Sequence, residues 1–143
     1  MANLTSSVKK LLLACETKNN GSPTLLGAGY ADCAGWNHAT WSLYLGIITA
    51  LAVVNLKIQE SDDLVTWVDI AGKALSQVPD TGDGKPYVIE IPRGGSTGRK
   101  RYQKPVCTVG DGTPGAALCI ECELSSFSAQ VADVAPQDLG QLV

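Results

Sequence analysis

The stretch from Leu51 to Gly72 limits the fold of this chain more than any other. Ala52, Val54, Leu56 and Ile58 alternate with Val53, Asn55, Lys57 and Gln59. A period of two is the mark of a strand with one buried and one wet face, because successive side chains leave a strand on opposite sides. Ser61, Asp62 and Asp63 then break the pattern. Short hydroxyl and acidic side chains hydrogen-bond their own backbone and so favour a turn. A second strand is predicted from Leu64 to Ile70, carrying Val65, Trp67, Val68 and Ile70. The unit is a β-hairpin with a polar tip.

The same logic runs along the rest of the chain. Val8 to Cys15 reads as a first strand, followed by a Gly, Asn, Ser and Pro-rich turn region from Asn19 to Gly29. From Trp36 to Leu45, Thr40, Ser42 and Tyr44 oppose Trp41, Leu43 and Leu45. Gly46 marks a bend or bulge. Val78 to Lys85 is a turn cluster, and Pro86 to Ile91 a short strand with Tyr87, Ile89 and Ile91 on one face. Pro92 to Gly98 is a Gly-rich loop. Arg99 to Val109 is a strand with Tyr102, Val106 and Thr108 in one register, which Pro105 confines to an edge or a bulge. After the turn from Gly110 to Gly115, the strand from Ala116 to Leu124 points Leu118, Ile120, Cys122 and Leu124 inward. Short strands separated by Gly, Pro and Asp turns indicate an all-β protein. We expect one jelly-roll-like β-sandwich over residues 1–124, with 125–143 as an extended C-terminal arm and a second arm ahead of Val8. The length of 143 residues suits one such domain.

Only 17% of residues are charged, below the usual quarter. Either small polar residues cover the surface, or much of it meets other protein. A net charge of −3 and a pI near 5.0 argue against a general nucleic-acid binder, which needs a basic field to displace counterions. Five cysteines, Cys15, Cys33, Cys107, Cys119 and Cys122, are an odd number, and read as small buried hydrophobes in a reducing compartment. Lys9 to Cys15 ends in Leu-Leu-Ala-Cys like a lipoprotein signal, but its apolar run is shorter than the ~7–15 residues such signals need. No segment approaches the ~20 apolar residues of a membrane helix, so no membrane partner is expected.

Chemistry is sparse. Cys119 and Cys122 form a CxxC, yet on a strand they fall on opposite faces, and a zinc site needs four ligands. His38 is the one histidine, and no nucleophile elbow accompanies it. Asp62, Asp63 and Asp69 lack calcium-loop spacing. The run Arg93 to Arg101 does not match a phosphate-binding loop. It is either a solvated loop or a charged contact with an acidic partner surface. Trp36, Trp41 and Trp67 read as core or interface, or as an aromatic platform for sugar. Neither metal nor cofactor is expected, and the chain does not read as an enzyme.

Val54 to Asp63 followed by Thr66, Trp67, Val68, Asp69 and Ile70, with Arg101-Tyr102 on a later strand, resembles a hairpin of tailed-bacteriophage head decoration, or cement, proteins. The resemblance implies a structural virion protein on the outer capsid surface, made in the host cytoplasm. It would tie neighbouring major capsid protein subunits together against packaging pressure, often as a homotrimer. Arms ahead of Val8 or within Ser125–Val143 would lie across another subunit. Candidate contacts are Arg93, Arg99, Lys100, Arg101, Trp36, Trp41, Pro136 and Leu139. The alternative is a carbohydrate-binding or adhesion sandwich on a virion or tail.

Overall fold

The computed structural model describes residues 8–18, 29–93, 97–110, 115–126 and 141–143. Nine strands appear among them: β1 (Val8–Lys18), β2 (Ala31–Asp32), β3 (His38–Ile48), β4 (Val53–Ser61), β5 (Val68–Ala74), β6 (Pro86–Pro92), β7 (Tyr102–Gly110), β8 (Ala116–Ser125) and β9 (Gln141–Leu142). They form two sheets, ordered β1-β8-β3-β6-β9 and β2-β7-β4-β5. We call these the first and second sheet.

The pairing has a simple rule. β1 pairs with β8, β2 with β7, β3 with β6 and β4 with β5, all antiparallel. The chain is thus one long double ribbon, folded back at the β4–β5 tip and rolled up. The β3–β8 and β4–β7 ladders close the roll. That order is the jelly roll, a sandwich of two Greek keys. The hairpin that dominates the sequence is therefore the innermost turn of the ribbon.

The alternation sets the core. Trp41, Leu43 and Leu45 of β3, Ile89 and Ile91 of β6, and Leu118, Ile120, Cys122 and Leu124 of β8 face Val54, Leu56 and Ile58 of β4 and Cys107 and Val109 of β7. All are buried. Each large aliphatic or aromatic side chain so removed from water contributes roughly 1.5–3 kcal/mol.

Several boundaries differ from the sequence reading. β1 runs on to Lys18, and β3 starts at His38 and continues to Ile48. Gly46 does mark a bulge, but inside β3, where the β8 register shifts between Leu45 and Ile48. Pro105 lies in an interior strand. Its neighbour β2 spans only Tyr102 and Gln103, so Pro105 has a ladder partner on the β4 side alone, at Ile58. β5 is an edge strand, and its register with β4 jumps from Gln59–Asp69 to Lys57–Ala74. Ile70 to Lys73 therefore stand out of the ladder. Such a bulge blunts an edge against unwanted pairing.

β8 runs through Ser125, past the expected end of the domain at 124. Gln141 and Leu142 pair in parallel with Tyr87 and Val88, and Val143 exchanges backbone hydrogen bonds with Glu90 and Val88 at 2.7 and 2.9 Å. Gln141, Leu142 and Val143 are thus tied to the edge of the first sheet. Pro136, Leu139 and everything ahead of Val8 lie outside the described residues.

Candidate functional site

The basic run is neutralised from within the chain. Arg101 makes two hydrogen bonds to the Asp32 carboxylate, at 2.9 and 2.8 Å. Lys100 Nζ reaches Asp62 at 3.1 Å, and the Arg101 amide donates to the same carboxylate at 3.0 Å. Arg99 stands 3.7 Å from Glu60, which also accepts from the Lys100 amide at 3.0 Å. Hydrogen bonding from Arg101 holds the Asp32 carboxyl down at about 2. Within the molecule the basic run is therefore paired with Asp32 of β2, Glu60 at the end of β4 and Asp62 of the hairpin tip.

Arg93 has a different task. Its guanidinium donates to the carbonyls of Cys33, Trp36 and Lys100, the last two at 2.9 and 2.8 Å. A planar fork spreads its five donors over separate nitrogens and so reaches carbonyls of different segments, where a lysine's donors all radiate from one atom. Arg93 thus ties the 33–36 turn to the loop before β7. Both terminal nitrogens are engaged inside the fold, while the buried Nε has no partner.

The three tryptophans do not share a surface. Trp41 is fully buried, because the β3 alternation that exposes Ser42 turns it inward. It therefore does not belong to a contact surface. Trp36 is half-buried against the core. Trp67 lies on the outer face of the second sheet with Lys104 Nζ 4.3 Å above its ring. An unexpected aromatic pair sits nearby: Tyr30, 45% exposed, packs edge-on against Tyr102 at 5.6 Å.

The cysteines divide. Cys33, Cys107 and Cys122 are buried thiols, and burial pushes Cys33 and Cys107 up to about 11 and 12. Cys122 rises for the same reason. Cys119 faces away from Cys122, as the odd spacing requires. It is joined in a disulfide to Cys15, its direct cross-strand partner on β1. For this pair the expectation of reduced, buried thiols does not hold. Among the described residues no group of three His, Cys, Asp or Glu could hold a metal. No helix among them is long and apolar enough to cross a membrane.

The tip itself is rigid. Ser61 Oγ accepts from the amides of Asp63 and Leu64 at 3.2 and 3.0 Å. Asp63 accepts from Val65 and Thr66 at 2.8 and 2.7 Å, and these amides hold its carboxyl well below the usual range. The sequence reading of a self-capped turn is met here.

Two leucines have positive φ, Leu51 at 69° and Leu64 at 63°, and they are the non-glycine residues with this conformation among those described. The Ala52 amide donates to the Thr49 carbonyl at 2.9 Å. Leu51 therefore occupies the turn position at which glycine or asparagine is normally required. A side chain there costs about 1–2 kcal/mol. Leu51 is also 78% exposed, and Leu64 37%. They flank β4, one at each end. Sequence reasoning passed over both, although a turn without glycine before Val53 was a visible signal.

No family model matches the chain, and no curated protein matches it. Among solved structures it resembles a chain of Bacillus endospore appendages, described as a novel family of disulfide-linked pili. The identity is 12% and the TM-score 0.44, over 89% of this chain and 96% of that one. That likeness is too slight to bear on function.

Proposed function

We propose that this is a structural virion protein, not an enzyme. It cements neighbouring major capsid protein subunits from outside the phage shell, as a homotrimer, after synthesis in the host cytoplasm. The observation that carries the proposal is the pair of strained leucines. Backbone strain persists only where the surrounding structure enforces it, and such positions cluster at functional sites. Leu51 and Leu64 are exposed apolar groups held at the two ends of one rigid strand. A protein that bridges two neighbours needs contacts at both ends of a stiff body. Many modest contacts repeated around a shell then act together.

The test is co-sedimentation with shells of the encoding phage assembled without this protein. Saturable binding near a simple ratio to the capsid protein is expected, and bare shells would contradict the proposal. A second reading, a glycan-binding module, is favoured by one observation, the half-exposed Tyr30 beside Tyr102. A shift of tryptophan fluorescence on adding sugars would support it.

A further inference from the structure

On the second sheet the exposed apolar side chains, Val65 at 82% and Val68 at 41%, sit at the β4–β5 tip and the edge strand, and much of the rest of that face is occupied by internal pairs. Lys104 covers Trp67, and Asp69 is held by Lys57 and Gln59 at 2.8 and 2.7 Å. The outer face of the first sheet is different. Leu12 of β1 is 68% exposed, Tyr44 of β3 46% and Ile47 at the β3 bulge 75%. Between them the Cys15–Cys119 disulfide, Gly46 and Ala117 line a shallow depression of about 380 Å³. The depression is open because its floor is small: a Cβ on Gly46 would stand 3.3 Å from the Ala117 Cβ. Exposed apolar side chains on the same face as an open, small-floored depression make this face a candidate interaction surface.

Charge selects the occupant. Glu121 and Glu123 stand beside Leu12 on the same face, and Lys10 serves both, at 3.6 and 3.2 Å. Glu90 of β6 lies on that face at the level of Thr40 and Glu123. Around Leu12 the two carboxylates Glu121 and Glu123 share the one Lys10, leaving that part of the face acidic; Glu90 farther along is partly buried and has Lys73 within electrostatic reach of its neighbour His38. Acidic, apolar surface repels nucleic acid and anionic lipid, and complements apolar groups flanked by cations.

We infer that the outer face of the first sheet, centred on Leu12, Tyr44 and Ile47, is the docking surface, and that its partner is a protein surface presenting apolar side chains flanked by lysine or arginine. The inference rests on the cement reading and adds a broad face on the first sheet to the two end contacts at Leu51 and Leu64. It also moves the contact away from Arg93, Arg99, Lys100 and Arg101.

The experiment compares binding of three proteins to shells assembled without this one. They are wild type, Leu12→Ser/Ile47→Ser, and Lys57→Glu/Lys104→Glu on the opposite sheet. The altered side chains of the first variant are largely exposed, so it keeps its fold, which circular dichroism checks. Glu121→Gln/Glu123→Gln tests the charge separately. Loss of affinity by about tenfold in the serine variant, with a smaller loss in the glutamine variant and little change in the second-sheet variant, is the expected result. Wild-type binding should also weaken as salt rises. If wild type binds and the first-sheet variants bind equally well, the face is wrongly assigned while the cement reading stands. If wild type leaves the shells bare, both fall.

Discussion

Trp41 Nε1 donates a hydrogen bond to Gln103 Oε1 at 3.0 Å, buried between the two sheets. It is a polar link from β3 to β7 across an otherwise apolar core. Gln103 is fully buried, and its Nε2 has no partner. Removing one side of such a pair leaves the other desolvated and unpaired, at a cost of about 1–3 kcal/mol. Trp41→Phe and Gln103→Leu should each lower stability by that order. The double variant should lose less than the sum, since residues in one network couple. Urea unfolding of all four proteins checks this, and strict additivity would show the bond to be inconsequential.

The disulfide between Cys15 and Cys119 clips the open end of the rolled ribbon, joining its first and last long strands across 104 residues of sequence. Closing a loop of that length removes much freedom from the unfolded chain. Cys15→Ser/Cys119→Ser should lower stability by about 2–4 kcal/mol. Hydrogen exchange should rise most in β1, whose ladder is to β8 alone. Uniform exchange in both proteins would contradict this.

Acid should destabilise the fold in two stages. His38 is buried with neither ring nitrogen partnered. Burial lowers it below its ordinary 6.5, with Lys73 acting the same way and Glu90 and Glu123 opposing. Its contribution is present above the unfolded value and lost as pH falls below it, because only the unfolded chain then takes up a proton. Asp32, held at about 2 by Arg101, contributes above its ordinary 3.8 and loses that contribution as pH falls towards 2. Asp62, Asp63 and Asp69 are lowered too and act in the same direction. Melting temperature against pH should show both steps, and His38→Leu should remove the upper one alone.

Much of this was legible in the sequence. The inward faces of β3, β4, β6 and β8 follow from period-two alternation, and Trp41 falls with Leu43 and Leu45 on that pattern. Residue type alone leaves a tryptophan open to core or interface, and burial on the inner face decides for the core at Trp41. Contacts between distant strands were not legible. Asp32 meets Arg101 only because β2 pairs with β7, and Cys15 meets Cys119 only because β1 pairs with β8. The bulge at Ile70 to Lys73 and the two-residue β9 leave no periodic trace, since neither has a run long enough to alternate.

The strained leucines separate function from folding. Glycine relieves the positive φ at Leu51 and Leu64 but adds freedom to the unfolded chain. Leu51→Gly/Leu64→Gly should therefore keep its stability within about 1 kcal/mol of wild type.

The most direct measurement of the central claim is a binding isotherm on shells assembled without this protein, run with wild type and with Leu51→Gly/Leu64→Gly. The cement account predicts saturable, stoichiometric binding by wild type and an affinity about tenfold lower for the equally stable variant. Shells left bare by wild type, or bound equally well by both proteins, would contradict it.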